Sequence, residues 1–131
     1  MEKKILIFGG TGTIGFSIAK KMKEEGYLPI IISRNEEELA LKAKQINCEY
    51  EICDVLKNDQ IEKIATKYNK NVFGLAYCVG SINLKPIKIT NDEDFIESFK
   101  VNTLGATKAI KSNLSNLTNN NGSILLFSSI A

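Results

Sequence analysis

A glycine-rich turn near the N-terminus is the feature that most restricts the fold of this chain. The segment FGGTGTIG follows the apolar run Ile5–Phe8 and leads into an amphipathic stretch. Gly9 permits a tight turn, Gly12 lets the backbone approach phosphate oxygens, and Gly15 allows a helix to pack closely on a strand. A helix that begins in this turn directs N–H groups and the positive end of its dipole at an anion. The turn therefore indicates a pyrophosphate site at a strand-to-helix junction, with a merely structural tight turn as the alternative.

Apolar, β-branched runs alternate with amphipathic stretches along the rest of the chain. The pattern predicts strands over 4–8, 28–33, 48–53, 72–78 and 123–127, and helices over 13–25, 36–46, about 57–68, 92–100 and 103–117. The runs at 30–32 and 124–127 are apolar on both faces, which is typical of a parallel sheet covered by helices on both sides. Right-handed crossovers then predict one Rossmann-type α/β domain over 1–131, a doubly wound parallel sheet of order 3-2-1-4-5.

The end of the second predicted strand bears on which dinucleotide the turn binds. An NAD site places an Asp or Glu there, about 20 residues past the glycines, on the ribose 2′-hydroxyl. The residues present are Ser33, Arg34 and Asn35. Arg34 is able to hold a 2′-phosphate with two hydrogen bonds, and Ser33 adds a hydroxyl, so NADP(H) is favoured over NAD(H). Alternatively, Arg34 is a solvated loop residue ahead of a helix that begins with three glutamates.

Charge and cysteine usage exclude several classes of protein. Seventeen basic residues stand against fifteen acidic ones, giving a net charge of +2 spread along the chain, which does not favour nucleic-acid binding. The apolar run after the first four residues is too short for a signal or membrane segment, so we expect a cytoplasmic protein. Cys48, Cys53 and Cys78 are odd in number and the chain has no histidine, so we expect buried thiols and no metal site.

The motifs along the chain resemble those of the short-chain dehydrogenase/reductase family, and the resemblance runs the full length. The glycine turn stands in the family's first position, with Thr13 where the classical pattern has glycine. Asp54 resembles the aspartate after the third strand. Tyr77-Cys78-Val79-Gly80 occupies the place of the Asn-Asn-Ala-Gly motif, of which Gly80 matches. The segment 101–105, VNTLG, matches Val-Asn-x-x-Gly, and 122–129 resembles the fifth strand and its serine.

The resemblance implies a set of site residues. Ser129 would orient the oxygen of a carbonyl or alcohol substrate, and Asn102 would support a water relay to a catalytic lysine. The remaining candidates are cofactor contacts, namely Gly9, Thr11, Gly12, Thr13, Ile14, Gly15, Ser33, Arg34, Asp54, Val55, Cys78, Val79 and Gly80. The implied reaction is carbonyl–alcohol interconversion by hydride transfer with NADP(H). A 3-oxoacyl thioester, a sugar, a steroid and a simple ketone all stay open as substrates.

The family's catalytic tyrosine, followed four residues later by lysine, is absent from this sequence. The chain has four tyrosines, and the residues four positions after Tyr27, Tyr50, Tyr68 and Tyr77 are Ile31, Asp54, Val72 and Ser81. We therefore expect the domain to be truncated after the fifth strand and inactive by itself. An apolar strand at the open edge of the sheet would pair with another chain, so we also expect a homo-oligomer.

Two other functions fit the same residues. One is a dinucleotide-binding module without catalysis, which would need neither Asn102 nor Ser129. The other is a nucleotide-sugar epimerase or dehydratase of the family's extended branch, suggested by the spacing of Gly9, Gly12 and Gly15.

Overall fold

The computed structural model describes residues 1–130, and the strands of this part of the chain form one parallel sheet. The strands are β1 Lys4–Phe8, β2 Leu28–Ser33, β3 Glu49–Ile52, β4 Val72–Tyr77 and β5 Ser123–Leu126. They lie in the order β3-β2-β1-β4-β5, and each neighbouring pair is parallel. The predicted doubly wound order 3-2-1-4-5 is confirmed.

Helices connect successive strands and cover both faces of the sheet. They are α1 Thr13–Glu24, α2 Glu36–Ile46, α3 Asn58–Lys67, α4 Asp92–Phe99 and α5 Gly105–Asn119, and a short 3-10 turn, Ile87–Ile89, precedes α4. The two helical segments predicted after β4 are both present, and a π-helical turn, Lys100–Leu104, joins them without a break. Over residues 1–130, none of these helices has the combined length and apolar character needed to cross a bilayer.

The core lies on both sides of β1, the central strand. Leu6 and Phe8 are fully buried among side chains of α3 and α5, whereas Ile7 is fully buried on the opposite face among side chains of α1 and α2. Alternate side chains of a strand point to opposite faces, so an uninterrupted apolar run supplies both layers. Each such side chain contributes about 1.5–3 kcal/mol when fully buried.

The cysteines differ from one another in exposure. Cys53 is buried, as expected, but Cys48 and Cys78 are only partly buried, so the expectation of three buried thiols is wrong for these two. The reason is position: Cys48 comes immediately before β3, and Cys78 immediately after β4, where the covering helices give way to loops.

The two edges of the sheet have opposite character. At the β3 edge, the Tyr68 hydroxyl lies 2.9 Å from Glu49 Oε2 and 2.6 Å from Glu51 Oε1, and Lys67 pairs with Glu51. At the β5 edge, apolar side chains are 41–54% exposed, namely Ile124, Leu125, Leu126 and Phe127. Within residues 1–130, β5 pairs with β4 alone.

Candidate functional site

The candidate site lies where the carboxyl ends of the parallel strands meet. The chain leaves β1 towards β2 on one side, and β4 lies on the other side of β1. Loops that leave two adjacent strands in opposite directions open a crevice between them, and ligands of open α/β sheets bind in this crevice. The loops after β1, β2, β3 and β4 all contribute residues to it.

Two glycines of the first turn are required by the packing of the turn itself. Gly9 has φ of +78°, and a Cβ there would lie 2.6 Å from the carbonyl carbon of Cys78. A Cβ on Gly15 would lie 2.2 Å from the Gly9 carbonyl oxygen. Neither position tolerates a side chain, so α1 begins directly over the end of β1.

Two other glycines are not required by the chain itself. Gly12 precedes α1, and a Cβ there would meet only the Gly9 carbonyl oxygen, at an ordinary 3.6 Å. A Cβ on Gly80 would meet only Asn102 Oδ1, at 3.7 Å. Both glycines line the same cavity. Their missing side chains leave space in this cavity, and on the Gly12 side it reaches the beginning of α1, where backbone N–H groups and the helix dipole favour an anion.

We call this space the β2-side cavity. It has a volume of about 330 Å³, and Arg34, Asp54 and Val55 line it from the ends of β2 and β3. The Asp54 carboxylate accepts a hydrogen bond from the Leu56 N–H, with 3.0 Å between Oδ1 and N, which fixes its orientation. The other lining residues predicted from the sequence are Gly9, Gly12, Ser33, Cys78, Val79 and Gly80.

A hydrogen bond ties the glycine turn to the end of β2. Thr11 is buried, and its Oγ1 donates to Ser33 Oγ at 3.1 Å. Thr11 thus supports the site from behind and does not line the β2-side cavity. Thr13 is exposed at the start of α1 and, like Gly15, lines neither of the cavities described here.

A second space, the β5-side cavity, lies on the other side of the loop after β4. It has a volume of about 610 Å³, and Asn102, Ser129 and Ile14 line it. The structure therefore brings Asn102 and Ser129 to one cavity, although they are 27 positions apart in the sequence. The two cavities share one wall, formed by the residues from Cys78 to Ser81. Together they form one elongated site that crosses the carboxyl edge of the sheet.

The Asn102 side chain holds the shared wall in place. Its Oδ1 accepts a hydrogen bond from the Ser81 N–H at 2.8 Å, and its Nδ2 donates to the Ser81 carbonyl at 2.9 Å. Nδ2 also lies 3.2 Å from Ser98 Oγ. The water relay expected of Asn102 stays a prediction, and what the structure shows is an amide that holds the loop after β4.

Cys78 lines both cavities from the shared wall. Its N–H donates to the Phe8 carbonyl at 2.7 Å, which extends the pairing of β4 with β1 by one residue. Burial raises the pKa of the Cys78 thiol to about 11, so the side chain is a neutral thiol at physiological pH. A neutral thiol offers the site a packing surface.

Tyr77 is a residue of the site that sequence reasoning missed. Its side chain is 4% exposed, and its hydroxyl donates to the Val101 carbonyl in the π-helical turn beside Asn102. Burial raises the pKa of Tyr77 well above its usual value, which keeps the phenol protonated. The available signal was the bulky tyrosine at the first position of the Asn-Asn-Ala-Gly motif.

Known proteins with similar sequences and structures span more than this chain. A mouse protein named 3-oxoacyl-[acyl-carrier-protein] reductase is 28% identical over 99% of this chain and 57% of its own length. An alcohol dehydrogenase from the archaeon Thermococcus sibiricus, complexed with 5-hydroxy-NADP, has a TM-score of 0.88 and 25% identity over 96% of this chain and 57% of that one. A short-chain type dehydrogenase/reductase from Mycobacterium ulcerans has a TM-score of 0.90 at 24% identity, and covers all of this chain and 52% of that one.

The chain therefore spans about half the length of the relatives it matches. A family model described as short chain dehydrogenase matches residues 3–131. The glycine turn, the 3-2-1-4-5 sheet and this match agree: the chain belongs to the short-chain dehydrogenase/reductase family of oxidoreductases.

Proposed function

We propose that this chain is the NADP(H)-binding part of an oxidoreductase that interconverts a carbonyl and an alcohol. The observation that carries the proposal is the pair Gly12 and Gly80, which have room for a Cβ and line the β2-side cavity without one. Glycines that the fold does not require, one before α1 and one in the loop after β4, are accounted for by a ligand that approaches the backbone.

The residues present fit a dinucleotide that crosses both cavities. The pyrophosphate would lie at the beginning of α1 beside Gly12, and the adenine end would lie against Asp54 and Val55 in the β2-side cavity. The shared wall would contact the cofactor with the backbone of residues 78–80. The nicotinamide end would then lie in the β5-side cavity, where Asn102 and Ser129 meet.

The proposed preference for NADP(H) rests on Arg34. Arg34 lines the β2-side cavity next to Ser33, and the sequence offers no acid at the end of β2 for a ribose 2′-hydroxyl. A guanidinium is suited to a 2′-phosphate because its N–H groups match two phosphate oxygens at once. The similar alcohol dehydrogenase from Thermococcus sibiricus, complexed with 5-hydroxy-NADP, supports this choice.

When bound, NADP(H) would supply or accept the hydride. The Ser129 hydroxyl would donate a hydrogen bond to the substrate oxygen, and Asn102 would hold the wall against which the substrate lies. Exchange of a proton with the substrate oxygen needs a further group. None of the tyrosines is followed by a lysine at the fourth position, and burial raises the pKa of both Tyr68 and Tyr77 well above the usual value.

A 3-oxoacyl thioester is the substrate class that we propose first. Ile82, Leu126 and Phe127 give the β5-side cavity an apolar surface suited to an acyl chain. The mouse relative carries the name of a reductase for such a substrate, attached to an acyl-carrier protein. A dinucleotide-binding module without catalysis is the second candidate, favoured by the missing tyrosine and lysine pair.

Replacing Gly12 by alanine tests the ligand-binding role of the turn. We expect Gly12→Ala to leave the melting temperature nearly unchanged, because the added Cβ meets only one atom, at 3.6 Å. We expect the affinity for NADPH, measured by its fluorescence on titration, to fall about tenfold or more, since the methyl group enters the space of the pyrophosphate.

Gly15→Ala is the matched control, because its Cβ would lie 2.2 Å from the Gly9 carbonyl oxygen and should lower the melting temperature. Unchanged NADPH affinity in a folded Gly12→Ala protein would contradict the proposed pyrophosphate site.

Replacing Arg34 by alanine tests the preference for NADP(H). A hydrogen bond to a charged group contributes roughly 1.5–3 kcal/mol, so Arg34→Ala should weaken NADPH binding by about ten- to a hundredfold. NADH binding should stay the same because NADH has no 2′-phosphate. Arg34→Lys, which keeps the charge, should have an NADPH affinity between those of the wild-type protein and Arg34→Ala. Equal losses for both nucleotides would show that Arg34 is not the specificity residue.

We also propose that this chain does not catalyse the carbonyl–alcohol interconversion without a further tyrosine and lysine. Incubation with NADPH and a 3-oxoacyl thioester should give no decrease in absorbance at the nicotinamide band, even when the titration shows that NADPH binds. Ser129→Ala gives the background rate for comparison. A steady rate that Ser129→Ala abolishes would contradict this part of the proposal.

We further infer that this chain self-associates through β5. Apolar side chains of an exposed edge strand favour pairing with another strand. Sedimentation velocity should show a concentration-dependent species larger than 14.5 kDa. Leu125→Lys, at a side chain that is 47% exposed, should shift the population to the monomer, whereas Leu41→Lys, on an exposed part of α2, should not. A monomer at every concentration tested would rule out this inference.

A further inference from the structure

The link between α4 and α5 departs from regular helix geometry at one place. The Gly105 N–H donates to the carbonyl of Lys100, five residues earlier, within the π-helical turn Lys100–Leu104. In an α-helix, the same N–H would donate to the carbonyl of Val101. Single π-helical turns are rare and are found most often near functional sites. A further interaction must therefore favour the π register over the α-helical register.

The Tyr77 hydroxyl supplies the missing partner. It donates to the Val101 carbonyl, the same acceptor that the α-helical register would give to Gly105. Tyr77 is the last residue of β4 and is almost fully buried, so its ring has a fixed position below the turn. A partly buried carbonyl that lacks a donor is costly, and the phenol donates to the carbonyl that the π-helical turn leaves without its α-helical partner.

The absence of a side chain at Gly105 leaves room for that hydroxyl. Its φ is −58°, an ordinary helical value, so glycine is not required there for backbone freedom. A Cβ on Gly105 would lie 2.2 Å from the Tyr77 hydroxyl oxygen, 3.3 Å from Cζ and 3.4 Å from the Lys100 carbonyl oxygen. The single severe contact is with the hydroxyl. Tyr77 and Gly105 are therefore a complementary pair.

Asn102 lies in the middle of this turn and transmits its register to the site. Its side chain bonds both the N–H and the carbonyl of Ser81, and Ser81 lines both cavities. We expect a change from the π to the α register to remove the bulge of one residue and to turn the Asn102 side chain relative to Ser81. The wall shared by the two cavities would then lose its support.

We propose that Tyr77 is a positioning residue: its hydroxyl holds the π-helical turn that places Asn102 on the wall between the two cavities. Tyr77 also lines the β5-side cavity, but its hydroxyl is bonded to the Val101 carbonyl. It acts through Val101 and Asn102 on Ser81. The consequence for nucleotide binding rests on the proposed function, whereas the consequence for the turn and the wall does not.

Tyr77→Phe tests the role of the hydroxyl, because it removes one oxygen and keeps the ring. We expect the Val101 carbonyl to change its carbon chemical shift, the Ser81 amide to exchange its hydrogen at least tenfold faster, and NADPH binding to weaken about tenfold. Tyr27→Phe, on the opposite face of the sheet, is the matched control and should change none of the three. Wild-type values for the Val101 shift and the Ser81 exchange rate in Tyr77→Phe would overturn the proposal.

A double variant separates positioning from a general loss of stability. Gly105→Ala alone should accelerate Ser81 exchange and weaken NADPH binding, because its methyl group displaces the hydroxyl. In the Tyr77→Phe background, the same change should have little further effect, since the atom at 2.2 Å is gone. Additive effects of the two changes on Ser81 exchange and on NADPH binding would show that Tyr77 and Gly105 are not a complementary pair.

The two proposals fail in different ways. If the wild-type chain does not bind NADPH, the proposed function fails, and Ser81 exchange in the same variants still decides the role of Tyr77. If NADPH binds and Tyr77→Phe leaves Ser81 exchange unchanged, the positioning role alone is wrong.

Discussion

The close approach of α1 to the end of β1 is the contact on which the site depends. A Cβ added to Gly15 would lie 2.2 Å from the Gly9 carbonyl oxygen, and a Cβ added to Gly9 would lie 2.6 Å from the Cys78 carbonyl carbon after β4. These contacts place the beginning of a helix, the end of the central strand and the loop after β4 within one small region. This packing alone places the beginning of α1, where N–H groups and the helix dipole favour an anion, in that region, and no charged side chain is needed for it.

Much of the fold is accessible from the sequence because the strands are buried on both faces. A run such as Ile30–Ile32 has no polar side chain to face solvent, which leaves a helix-covered parallel sheet as the consistent arrangement. The glycine turn is equally readable, because the backbone positions that only glycine tolerates are local. The π-helical turn between α4 and α5 is not readable from the sequence, for the opposite reason. The π-helical turn is stabilised by a hydroxyl from β4, more than 20 residues away in the sequence.

Some features of the candidate site can likewise be predicted from the sequence, and others are visible only in the structure. The sequence singled out Asn102 and Ser129, and the structure brings both to the β5-side cavity. The sequence alone does not show that the Asn102 amide binds both the N–H and the carbonyl of Ser81, because these bonds depend on how the helix packs over the loop. Tyr77 was noticed only as a departure from a motif. Its contact with Val101 and the space left by Gly105 are visible only in three dimensions.

The two edges of the sheet differ in side-chain polarity, and this difference affects which edge can pair with a strand from another copy. At the β3 edge, Glu49 and Glu51 carry carboxylates, and a strand added there would bring its own side chains against them. The β5 edge carries exposed apolar side chains instead. Repeated addition of copies in one direction would require a β5 edge to accept a β3 edge, which the carboxylates oppose. In the self-association proposed above, contact between two β5 edges would use the same surface on both partners, so it would end at a pair and would not extend into a fibre.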